Sequence, residues 1–594
     1  MTARLVGLVR PRASELALLA VLVAAAAVAL GAALAENGPL VAVATVVGVG
    51  AGVAVRLGAR TVDRPLSRIS AGMPTRRLAR SVPVVLFAAL TVPRWTTVVV
   101  ALAAFTLVAL GVVAEAARWS LDLAAARTPV ARNLSGVGGP SRSRRRAHAT
   151  VLWSAVAELA VLLPVPCGAS GSVVTVLALA GVATGLVLVT GLARAVRASG
   201  EGARRHRLAE IADAIDAHAP TVVLVFSGDA TATYQAEMWF PTLERLDQRA
   251  LVLLRDRAVF DTLAPTGLPV VCVPDAQDVM SLRLPTARVA LFPANVANNI
   301  HVLRLPHVLS AFIGHGDSDK NASYNPYSRV YDEIWVAGPA GRARYHAARV
   351  GVRDDDIVEV GRPRLDELAL ARSTPAATGD EPTLLYAPTW EGWDLSQDHA
   401  SQPGIGLALV REALSRDDIR VVYRPHPFTG RRSTAVRHAD REVARLLRQD
   451  SARRAAEGRP VHEVVTPDQR PLYDCFREAD ALVTDVSSVL SDFLATGRPY
   501  AVTNPRGVGA AEFLRQFPAA RAGILLGPDG SGLTRLLAVV TGAADDDLAQ
   551  VRGTLRREVL GDPTTPAQAR FQDAVSRLAA RADERSTALR LSAQ

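Results

Sequence analysis

Uncharged apolar stretches of about the length of a membrane span dominate the first third of the chain. Residues 16–34, 40–55 and 173–193 contain no charged side chain, and about 20 apolar residues form a helix long enough to cross a bilayer. Residues 149–166 are a weaker candidate, because Glu158 and two prolines interrupt the apolar pattern. Several candidate spans follow the first, so the pattern predicts a helical membrane region over residues 1–205 and not a cleaved signal peptide.

Arginine residues cluster at particular ends of these stretches. Clusters precede residue 16, lie within residues 56–80 and 142–146, and follow the last stretch at residues 194–207. The positive-inside rule places all four clusters in the cytoplasm, together with everything after residue 205. Residues 82–114 do not fit this topology directly. They are too short for two full spans, and a single span would place the next arginine cluster on the opposite side of the membrane. A re-entrant or tilted hairpin at residues 82–114 would keep all four clusters in the cytoplasm.

From residue 206 onward, short apolar runs alternate with helical stretches or loops. The runs are nearly continuous in apolar character, which is typical of buried parallel strands in an α/β fold. Residues 371–383 are rich in Ser, Thr, Pro, Ala and Gly and separate two series of such runs. We therefore predict two Rossmann-like domains, residues 206–375 and 376–594, that face each other across a cleft. The predicted strands cover residues 221–226, 250–254, 269–273, 289–292, 308–313, 333–337, 383–386, 419–423, 461–465, 481–484, 500–503 and 523–526.

The positive charge of the chain belongs mainly to the predicted membrane region. The formal net charge is +10 at pH 7, and the four arginine clusters carry more positive charge than this net value. Basic side chains beside a bilayer are attracted to anionic lipids, so we do not expect a nucleic-acid partner. Three widely separated cysteines, Cys167, Cys272 and Cys475, indicate neither a disulfide framework nor a zinc site.

Candidate chemistry lies at the carboxyl ends of three predicted strands, where open α/β sheets bind their ligands. His315 and Gly316 follow one of these strands, and Lys320, the single lysine of the chain, comes four residues after Gly316. Arg424 and His426 follow another strand, with a proline on each side of the histidine that restricts the backbone around it. Both clusters combine groups suited to proton transfer with groups suited to binding an anion.

The third strand leads through Thr484 and Asp485 into a helix that begins near Ser487 and Ser488. The free N–H groups and the dipole at a helix N-terminus favour an anion, and the two hydroxyl groups add donors for a diphosphate. Asp492 lies later on the same helix, where its side chain either lines the site or faces solvent. This cluster therefore predicts a phosphate-binding element.

Each cluster also has a purely structural interpretation. Ser487 is open to a role as an ordinary N-cap, His426 to one as a packed loop histidine, and Trp390 to one as a core residue. Lys320 is either a compact ammonium group that the planar fork of arginine cannot replace, or a chance survivor in an arginine-rich chain. The occurrence of two histidines, a lysine and a serine-capped helix at strand ends of two facing domains favours a functional site.

Five motifs of the chain occur in a fixed order within about residues 220–540. They are His315-Gly316 with Lys320, GRPRLD at residues 361–366, YAPTW at 386–390, RPHP at 424–427 and TDVSSVLSDF at 484–493. Together they resemble the CDP-glycerol glycerophosphotransferase family, whose members build teichoic acids and related poly(alditol phosphate) chains. The resemblance implies a GT-B fold, a CDP-alditol donor in the carboxyl-terminal domain and an acceptor that approaches from the amino-terminal domain.

The resemblance implies roles for individual residues as well. His315 and His426 correspond to the two essential histidines of the family, and Arg424 with the serines of the third cluster would meet the donor phosphates. The sequence departs from the family at Asp317 and Ser318, one of which stands where a threonine is usual, so the acceptor stays open. The membrane region is a second departure. The predicted phosphate ligands are Arg424, Thr484, Ser487 and Ser488, and further predicted lining residues are Gly316, Thr389, Trp390, Asp485 and Asp492.

The implied reaction is a substitution at the β-phosphorus of CDP-glycerol or CDP-ribitol, in which an acceptor hydroxyl attacks and CMP leaves. His315 is the candidate general base, and Lys320, Arg424 and His426 are candidates for stabilising charge on the phosphate oxygens. We expect the reaction to need no metal and no other cofactor, because the cationic side chains and the helix terminus can take the place of a metal. The expected acceptor is a lipid-linked saccharide or a poly(alditol phosphate) chain, and the oligomeric state stays open.

Other functions remain open from the sequence alone. A GT-B glycosyltransferase would move a sugar from a UDP or GDP donor to a polyprenyl-linked acceptor. A non-catalytic membrane scaffold would carry a degenerate transferase domain, although the candidate site residues are all present. A transporter is disfavoured, because Glu158 is the one charged residue at the centre of the predicted spans. Asp317 and Asp319 form a weak candidate pair for a metal ion.

Overall fold

A computed structural model describes residues 13–58, 73–138, 144–317, 325–370, 381–392, 398–466 and 469–592. The chain divides into two compact units. The first, which we call the helical unit, comprises Met1–Thr128 and Gly139–Ala209. The second, which we call the α/β unit, comprises Pro129–Gly138 and Glu210–Gln594.

Long apolar helices make up the described part of the helical unit. Four of them, α1, α2, α4 and α6 in the numbering below, are long and apolar enough to cross a membrane by length and composition, and α5 contains a shorter apolar helix. This agrees with the predicted membrane association. The helices are α1 Ala13–Leu34, α2 Gly38–Gly58, α3 Met73–Thr91, α4 Arg94–Arg127, α5 Arg144–Leu162 and α6 Gly171–Ala198, and α7 Glu201–His218 follows them.

The ambiguous residues 82–114 belong to two helices that meet at Pro93. Pro93 has extended backbone angles and precedes α4, where its missing N–H costs no helical hydrogen bond. Helix α4 continues for 13 residues beyond Ala114 to Arg127, because Glu115, Arg118 and the alanines around them are good helix formers. The segment is therefore a helix pair, one of the arrangements left open by the sequence. Its second member is long enough for a full span.

The first sheet of the α/β unit has eight strands in the order β1-β4-β3-β2-β5-β6-β7-β8. All neighbouring pairs are parallel except β1 and β4, which are antiparallel. The parallel strands β2 to β5 are buried along their whole length, as their continuous apolar sequence predicts. The strands are β1 Val130–Arg132, β2 Val222–Phe226, β3 Ala250–Leu254, β4 Val270–Cys272, β5 Val289–Phe292, β6 Leu309–Phe312, β7 Glu333–Val336 and β8 Ile357–Glu359.

The second sheet has six strands, all parallel, in the order β11-β10-β9-β12-β13-β14. In both sheets, the strand numbers rise outward in both directions from a point near the centre. This point lies between β2 and β5 in the first sheet and between β9 and β12 in the second. Such topological switch points are where Rossmann-type sheets bind ligands. The predicted α/β class with a GT-B-like pair of Rossmann-type sheets is confirmed. The strands are β9 Thr383–Ala387, β10 Arg420–Tyr423, β11 Glu463–Val464, β12 Ala481–Thr484, β13 Tyr500–Thr503 and β14 Ile524–Leu526.

Helices connect the strands of both sheets, and the last helix returns to the first sheet. Phe571, Val575 and Leu578 of this helix are fully buried in the core formed by β2, β3 and β4, so the end of the chain closes the first domain. The helices are α8 Tyr234–Glu237, α9 Phe240–Glu244, α10 Arg257–Thr262, α11 Ala276–Ser281, α12 Ile300–Leu303, α13 Pro339–Ala348, α14 Asp366–Leu370, α15 Leu407–Leu414, α16 Thr434–Ala456, α17 Leu472–Glu478, α18 Ser488–Phe493, α19 Ala510–Gln516, α20 Leu533–Val540, α21 Ala549–Leu560 and α22 Ala567–Ser592.

Candidate active site

His315 follows strand β6 in a turn that opens with Gly314, whose φ of +59° is accessible to glycine at little cost. Nδ1 of His315 lies 3.1 Å from the carbonyl oxygen of Pro293. A carbonyl can only accept, so Nδ1 carries the proton and Nε2 of the neutral ring is a base. The side chain is exposed into the cleft. Crowding by the surrounding protein lowers the pKa of His315, the Pro293 hydrogen bond raises it, and the charge of Arg362 lowers it further; the net shift is downward.

His426 follows strand β10 and has the opposite proton arrangement. The backbone N–H of Phe428 donates to Nδ1 of His426 at 3.0 Å. In the neutral ring the proton therefore lies on Nε2, which makes that nitrogen a hydrogen-bond donor. The Trp390 ring is stacked on the imidazole with centroids 6.0 Å apart and an interplanar angle of 18°, which fixes its plane.

The buried carboxylate of Glu391 holds the loop after His426 in place. Its two oxygens accept hydrogen bonds from the backbone N–H groups of Gly430 at 3.0 Å, Arg432 at 2.9 Å and Ser433 at 2.8 Å. Glu391 is 2% exposed, so its charge depends on these three donors. Glu391, which directly follows the YAPTW motif, therefore helps to position the loop after His426.

Tyr234 joins the two histidines across the cleft, and the sequence did not single it out. Its ring makes edge contacts with His315, at 6.1 Å between centroids, and with His426, at 6.4 Å. Burial raises the pKa of the Tyr234 phenol, and a hydrogen bond from Gln235 opposes that shift. The available signal was its place in the segment that follows strand β2, beside the switch point of the first sheet.

Gly316 and Ser488 bring the first domain directly against the helix of the second. A Cβ atom built on Gly316 would lie 2.8 Å from both Cβ and Oγ of Ser488, so only glycine fits there without a shift. The neighbouring Ser487 is extended and its side chain makes no capping hydrogen bond; its hydroxyl lies 3.4 Å from that of Thr484. The interpretation of Ser487 as an ordinary N-cap therefore lacks its defining contact.

Arg424 supplies a positive charge at the carboxyl end of strand β10. Its Nε donates to the carbonyl oxygen of Arg470 at 3.4 Å, and among the described residues no carboxylate pairs with it. Burial lowers the pKa of the guanidinium, and the nearby Cys475 opposes that shift, but the group stays charged at neutral pH. A half-buried guanidinium with no acidic partner in the described part of the chain is suited to an anionic ligand.

Three predicted site residues have buried side chains. Thr484 is fully buried and donates to the carbonyl oxygen of Ala387 at 2.7 Å. Asp485 is fully buried and accepts from the backbone N–H of Thr389 at 2.7 Å, and from the hydroxyl of Thr503. Thr389 itself is 5% exposed. These contacts join the carboxyl ends of β9, β12 and β13, so the three side chains stabilise the strand ends that carry the site.

Asp492 neither lines the cleft nor faces solvent. Arg362 makes a bidentate contact with its carboxylate, at 3.1 and 3.2 Å, and the hydroxyl of Tyr473 donates to it at 2.9 Å. Arg362 and Asp492 are 7% and 4% exposed. Because Arg362 follows β8 of the first sheet and Asp492 lies on α18 of the second, the buried pair joins the two domains.

Lys320 lies outside the described residues, as do Ser318 and Asp319, so its predicted role stays a prediction. Asp317 contacts Arg344, which already balances its charge. No group of three or more His, Cys, Asp or Glu side chains in the described ranges is arranged to hold a metal ion. The structure thus brings His315, Gly316, Tyr234, Trp390, His426 and Ser488 together. Ser487 precedes Ser488 in the chain, and Arg424 comes two residues before His426.

Comparison with known proteins identifies the segment that carries these residues. Residues 314–505 match the family described as CDP-Glycerol:Poly(glycerophosphate) glycerophosphotransferase. None of the curated proteins compared with the chain matches it. Among solved structures, the wall teichoic acid polymerase TagF is similar at 14% identity and a TM-score of 0.41, over 64% of this chain and 94% of that one. A UDP-GlcNAc 2-epimerase from Methanocaldococcus jannaschii is similar at 11% identity and a TM-score of 0.39, over 60% and 99%.

The matched segment begins at Gly314, beside the first histidine, and ends shortly after strand β13. It contains His315, His426 and the Ser487–Ser488 turn, which are the groups that the fold assembles at the cleft. The resemblance drawn from five motifs is therefore confirmed by an independent match. Residues 314–505 of the chain are therefore similar to the CDP-glycerol:poly(glycerophosphate) glycerophosphotransferase family.

Proposed function

We propose that the protein transfers glycerol phosphate, or another alditol phosphate such as ribitol phosphate, from a CDP-alditol to a hydroxyl group. The acceptor is a lipid-linked saccharide or a poly(alditol phosphate) chain, CMP is released, and the product belongs to a teichoic-acid-like surface polymer. The observation that carries the proposal is the pair of facing histidines with opposite proton arrangements, one a base at Nε2 and the other a donor.

In the proposed reaction His315 acts as the general base. Its Nε2 accepts the proton of the acceptor hydroxyl while the oxygen attacks the β-phosphorus of the donor. A new P–O bond forms, the bond to the bridging oxygen breaks, and that oxygen leaves with CMP. The carbonyl of Pro293 fixes the tautomer and the ring direction, and a positioned base contributes typically about 10²–10⁴-fold in rate.

Charge that develops on the phosphate oxygens requires donors on the opposite wall. His426 offers its Nε2–H group, Arg424 offers a guanidinium, and the hydroxyls of Ser487 and Ser488 lie at the start of α18. Preorganised donors of this kind are usually the largest contribution to such a reaction. Lys320 remains a candidate for a further cation. We propose that these groups make a metal ion unnecessary.

We further propose that the helical unit crosses the membrane several times and that the α/β unit lies on the cytoplasmic side. The four arginine clusters support that orientation under the positive-inside rule. The α3–α4 pair supports that orientation too. Two consecutive helices that enter and leave the membrane on the same side keep the arginine cluster at residues 142–146 in the cytoplasm.

The test is a donor panel with the purified full-length protein. CDP-glycerol, CDP-ribitol, UDP-GlcNAc and a GDP-sugar are incubated separately with a lipid-linked acceptor, and the released nucleotide is identified. We expect CMP from a CDP-alditol and no UDP or GDP from the sugar donors. Release of UDP or GDP would replace the proposal with a glycosyltransferase, and the absence of any release would favour a non-catalytic scaffold.

A further inference from the structure

Trp239 lies in the core of the first domain, between α8 and α9, and is 3% exposed. Its Nε1–H donates to the carbonyl oxygen of Gly314 at 2.8 Å. A buried indole N–H usually finds a hydrogen-bond partner, and here the partner is the residue directly before His315. Trp239 and Gly314 are 75 residues apart in the chain, so a distant element holds the turn that carries the histidine.

The carbonyl that accepts this hydrogen bond belongs to the peptide group between Gly314 and His315. Gly314 has a φ of +59°, and because glycine adopts many backbone angles at little cost, it does not by itself fix the orientation of that group. A peptide group is planar, so an anchor on its oxygen also sets the direction of the N–Cα bond of His315. The residues on either side are anchored as well, Ile313 N–H on Phe292 at 3.0 Å and the His315 ring on Pro293 at 3.1 Å.

Aromatic and cationic side chains hold the indole itself. Phe571 of α22 is fully buried and stacks on Trp239, with ring centroids 5.4 Å apart and an interplanar angle of 27°. The guanidinium of Arg362 lies 6.0 Å from the centroid of the indole. Stacked aromatic pairs and cation–π contacts both favour one ring orientation. The indole N–H is therefore a donor in a fixed position.

We propose that Trp239 is a positioning residue for the transfer reaction, whose indole N–H holds the peptide group before His315 so that Nε2 meets the acceptor hydroxyl. The inference rests on the proposed function, in which His315 is the base. A displacement of about 1 Å at a reacting group can cost about 10²-fold in rate. Trp239 and Phe571 both lie outside residues 314–505, so the geometry of the base depends on parts of the chain that the family match does not include.

The test removes the indole N–H and keeps an aromatic ring. Trp239→Phe in the full-length protein retains a ring against Phe571 but has no donor for Gly314. CMP release is measured with CDP-glycerol and the lipid-linked acceptor. We expect kcat to fall at least about tenfold while KM for CDP-glycerol stays within about threefold, because the proposed phosphate ligands belong to the second sheet.

Trp335 provides the matched control. It is 4% exposed and also packs against Phe571, with centroids 5.0 Å apart. Its Nε1–H donates at 2.7 Å to Glu333, which keeps Arg577 and Arg581 as partners when the indole is removed. Trp335→Phe should therefore leave kcat within about threefold of the wild type. An equal loss of kcat in the two variants, or a loss in the first that appears only in KM, would overturn the proposal.

Hydrogen exchange without any substrate tests the contact independently of the transferase activity. Amides whose local structure opens more often exchange faster. We expect the backbone amides of residues 309–317 to exchange at least about threefold faster in Trp239→Phe, and at the wild-type rate in Trp335→Phe. Unchanged exchange of this segment in Trp239→Phe would overturn the positioning role. A wild-type protein that released no CMP would refute the proposed function instead, and the exchange experiment would still decide whether the contact holds the turn.

A sulfur analogue separates the hydrogen bond from packing. Benzothienylalanine has the ring shape of tryptophan with sulfur in place of Nε1–H, so its incorporation at Trp239 removes the donor and keeps the stack on Phe571. This variant should reproduce the loss of kcat and the faster exchange, whether or not Trp239→Phe folds. Wild-type kcat in the sulfur variant would overturn the role of the hydrogen bond.

Discussion

The chemistry of the cleft depends on which nitrogen of each histidine carries the proton. Pro293 fixes one tautomer of His315 through its carbonyl, and Phe428 fixes the other tautomer of His426 through its N–H. The neutral ring of His315 thereby presents an acceptor at Nε2, and the neutral ring of His426 presents a donor there. The sequence identified both histidines by their place after strands, but backbone partners that are 22 residues away, as for Pro293, cannot be read from a local pattern.

The lowered pKa of His315 predicts an unusual pH profile. The catalytic form of a general base is the neutral one, and desolvation moves the pKa below the ordinary value of 6.5. The ring therefore stays neutral at lower pH, and kcat/KM should fall on the acid side only below pH 6.5. Initial rates of CMP release between pH 4.5 and 8 would measure this. A half-maximal point at or above 6.5 would contradict the role of His315 as the base.

Gly316 provides a second test at the residue scale. Replacement by alanine would place a Cβ atom 2.8 Å from Ser488, so α18 or the turn must move. We expect Gly316→Ala to lower kcat/KM at least about tenfold while thermal unfolding stays close to that of the wild type. Gly509→Ala is the matched control, because nothing lies within 4 Å of the added atom. Equal activity of both variants would show that this contact does not matter.

At the scale of elements, the strands whose bounds were predicted correctly are those with an uninterrupted apolar sequence. The buried strands β3, β5, β12 and β13 have the predicted bounds, because uninterrupted apolar runs leave few alternatives. Strands β1 and β8 were missed. Each has three residues, ends in a charged side chain and is defined by its partner on the sheet edge, β4 or β7, which is information that a short window does not contain.

The site residues that sequence reasoning misplaced are those whose partners lie on another element. Asp485 was a candidate lining residue, and Asp492 was left open between lining the site and facing solvent. Asp485 instead accepts from Thr389 on the neighbouring strand end, and Asp492 pairs with Arg362 of the other domain. A carboxylate near a serine-tipped helix looks similar in sequence whether it binds a ligand or another part of the chain. Tyr234 was missed for the converse reason, since no motif marks a tyrosine that contacts two histidines.

The Arg362–Asp492 pair predicts a coupled effect on stability. Removing one partner leaves a buried charge without compensation, which typically costs about 3–5 kcal/mol, whereas replacing both with apolar residues costs much less. We expect Arg362→Met to lower the thermal unfolding midpoint clearly more than the double variant Arg362→Met with Asp492→Leu. Calorimetry of the purified protein would compare them. Additive losses in the double variant would mean that the pair does not hold the two domains together.

For the whole molecule, two mainly parallel sheets with a cleft between them would allow the proposed donor and the proposed acceptor to bind separately. The first sheet carries His315 and Tyr234, and the second carries Arg424, His426 and the start of α18. Helix α22 closes the first domain although it comes last in the chain. The division into two sheets could be predicted from the sequence, but this return of the last helix could not.

The groups proposed to bind the donor phosphates, Arg424 and His426, lead us to predict that turnover does not depend on a divalent metal. Arg424 and His426 supply the positive charge and the donors that a magnesium ion would otherwise provide. CMP release should therefore be unchanged within about twofold by an excess of EDTA over all divalent ions. Loss of activity with EDTA that Mg²⁺ restores would show that a metal ion takes part.

The most direct test of the account is the affinity for CDP-glycerol in two variants, one from each wall of the cleft. If the base and the phosphate ligands belong to different domains, His315→Ala should bind CDP-glycerol within about threefold of the wild type while CMP release is abolished. Arg424→Ala should instead lose at least about tenfold in affinity, because a charge-assisted contact to phosphate is removed. Isothermal titration calorimetry measures both. Equal loss of donor affinity in the two variants, or no binding of CDP-glycerol by the wild type, would contradict the account.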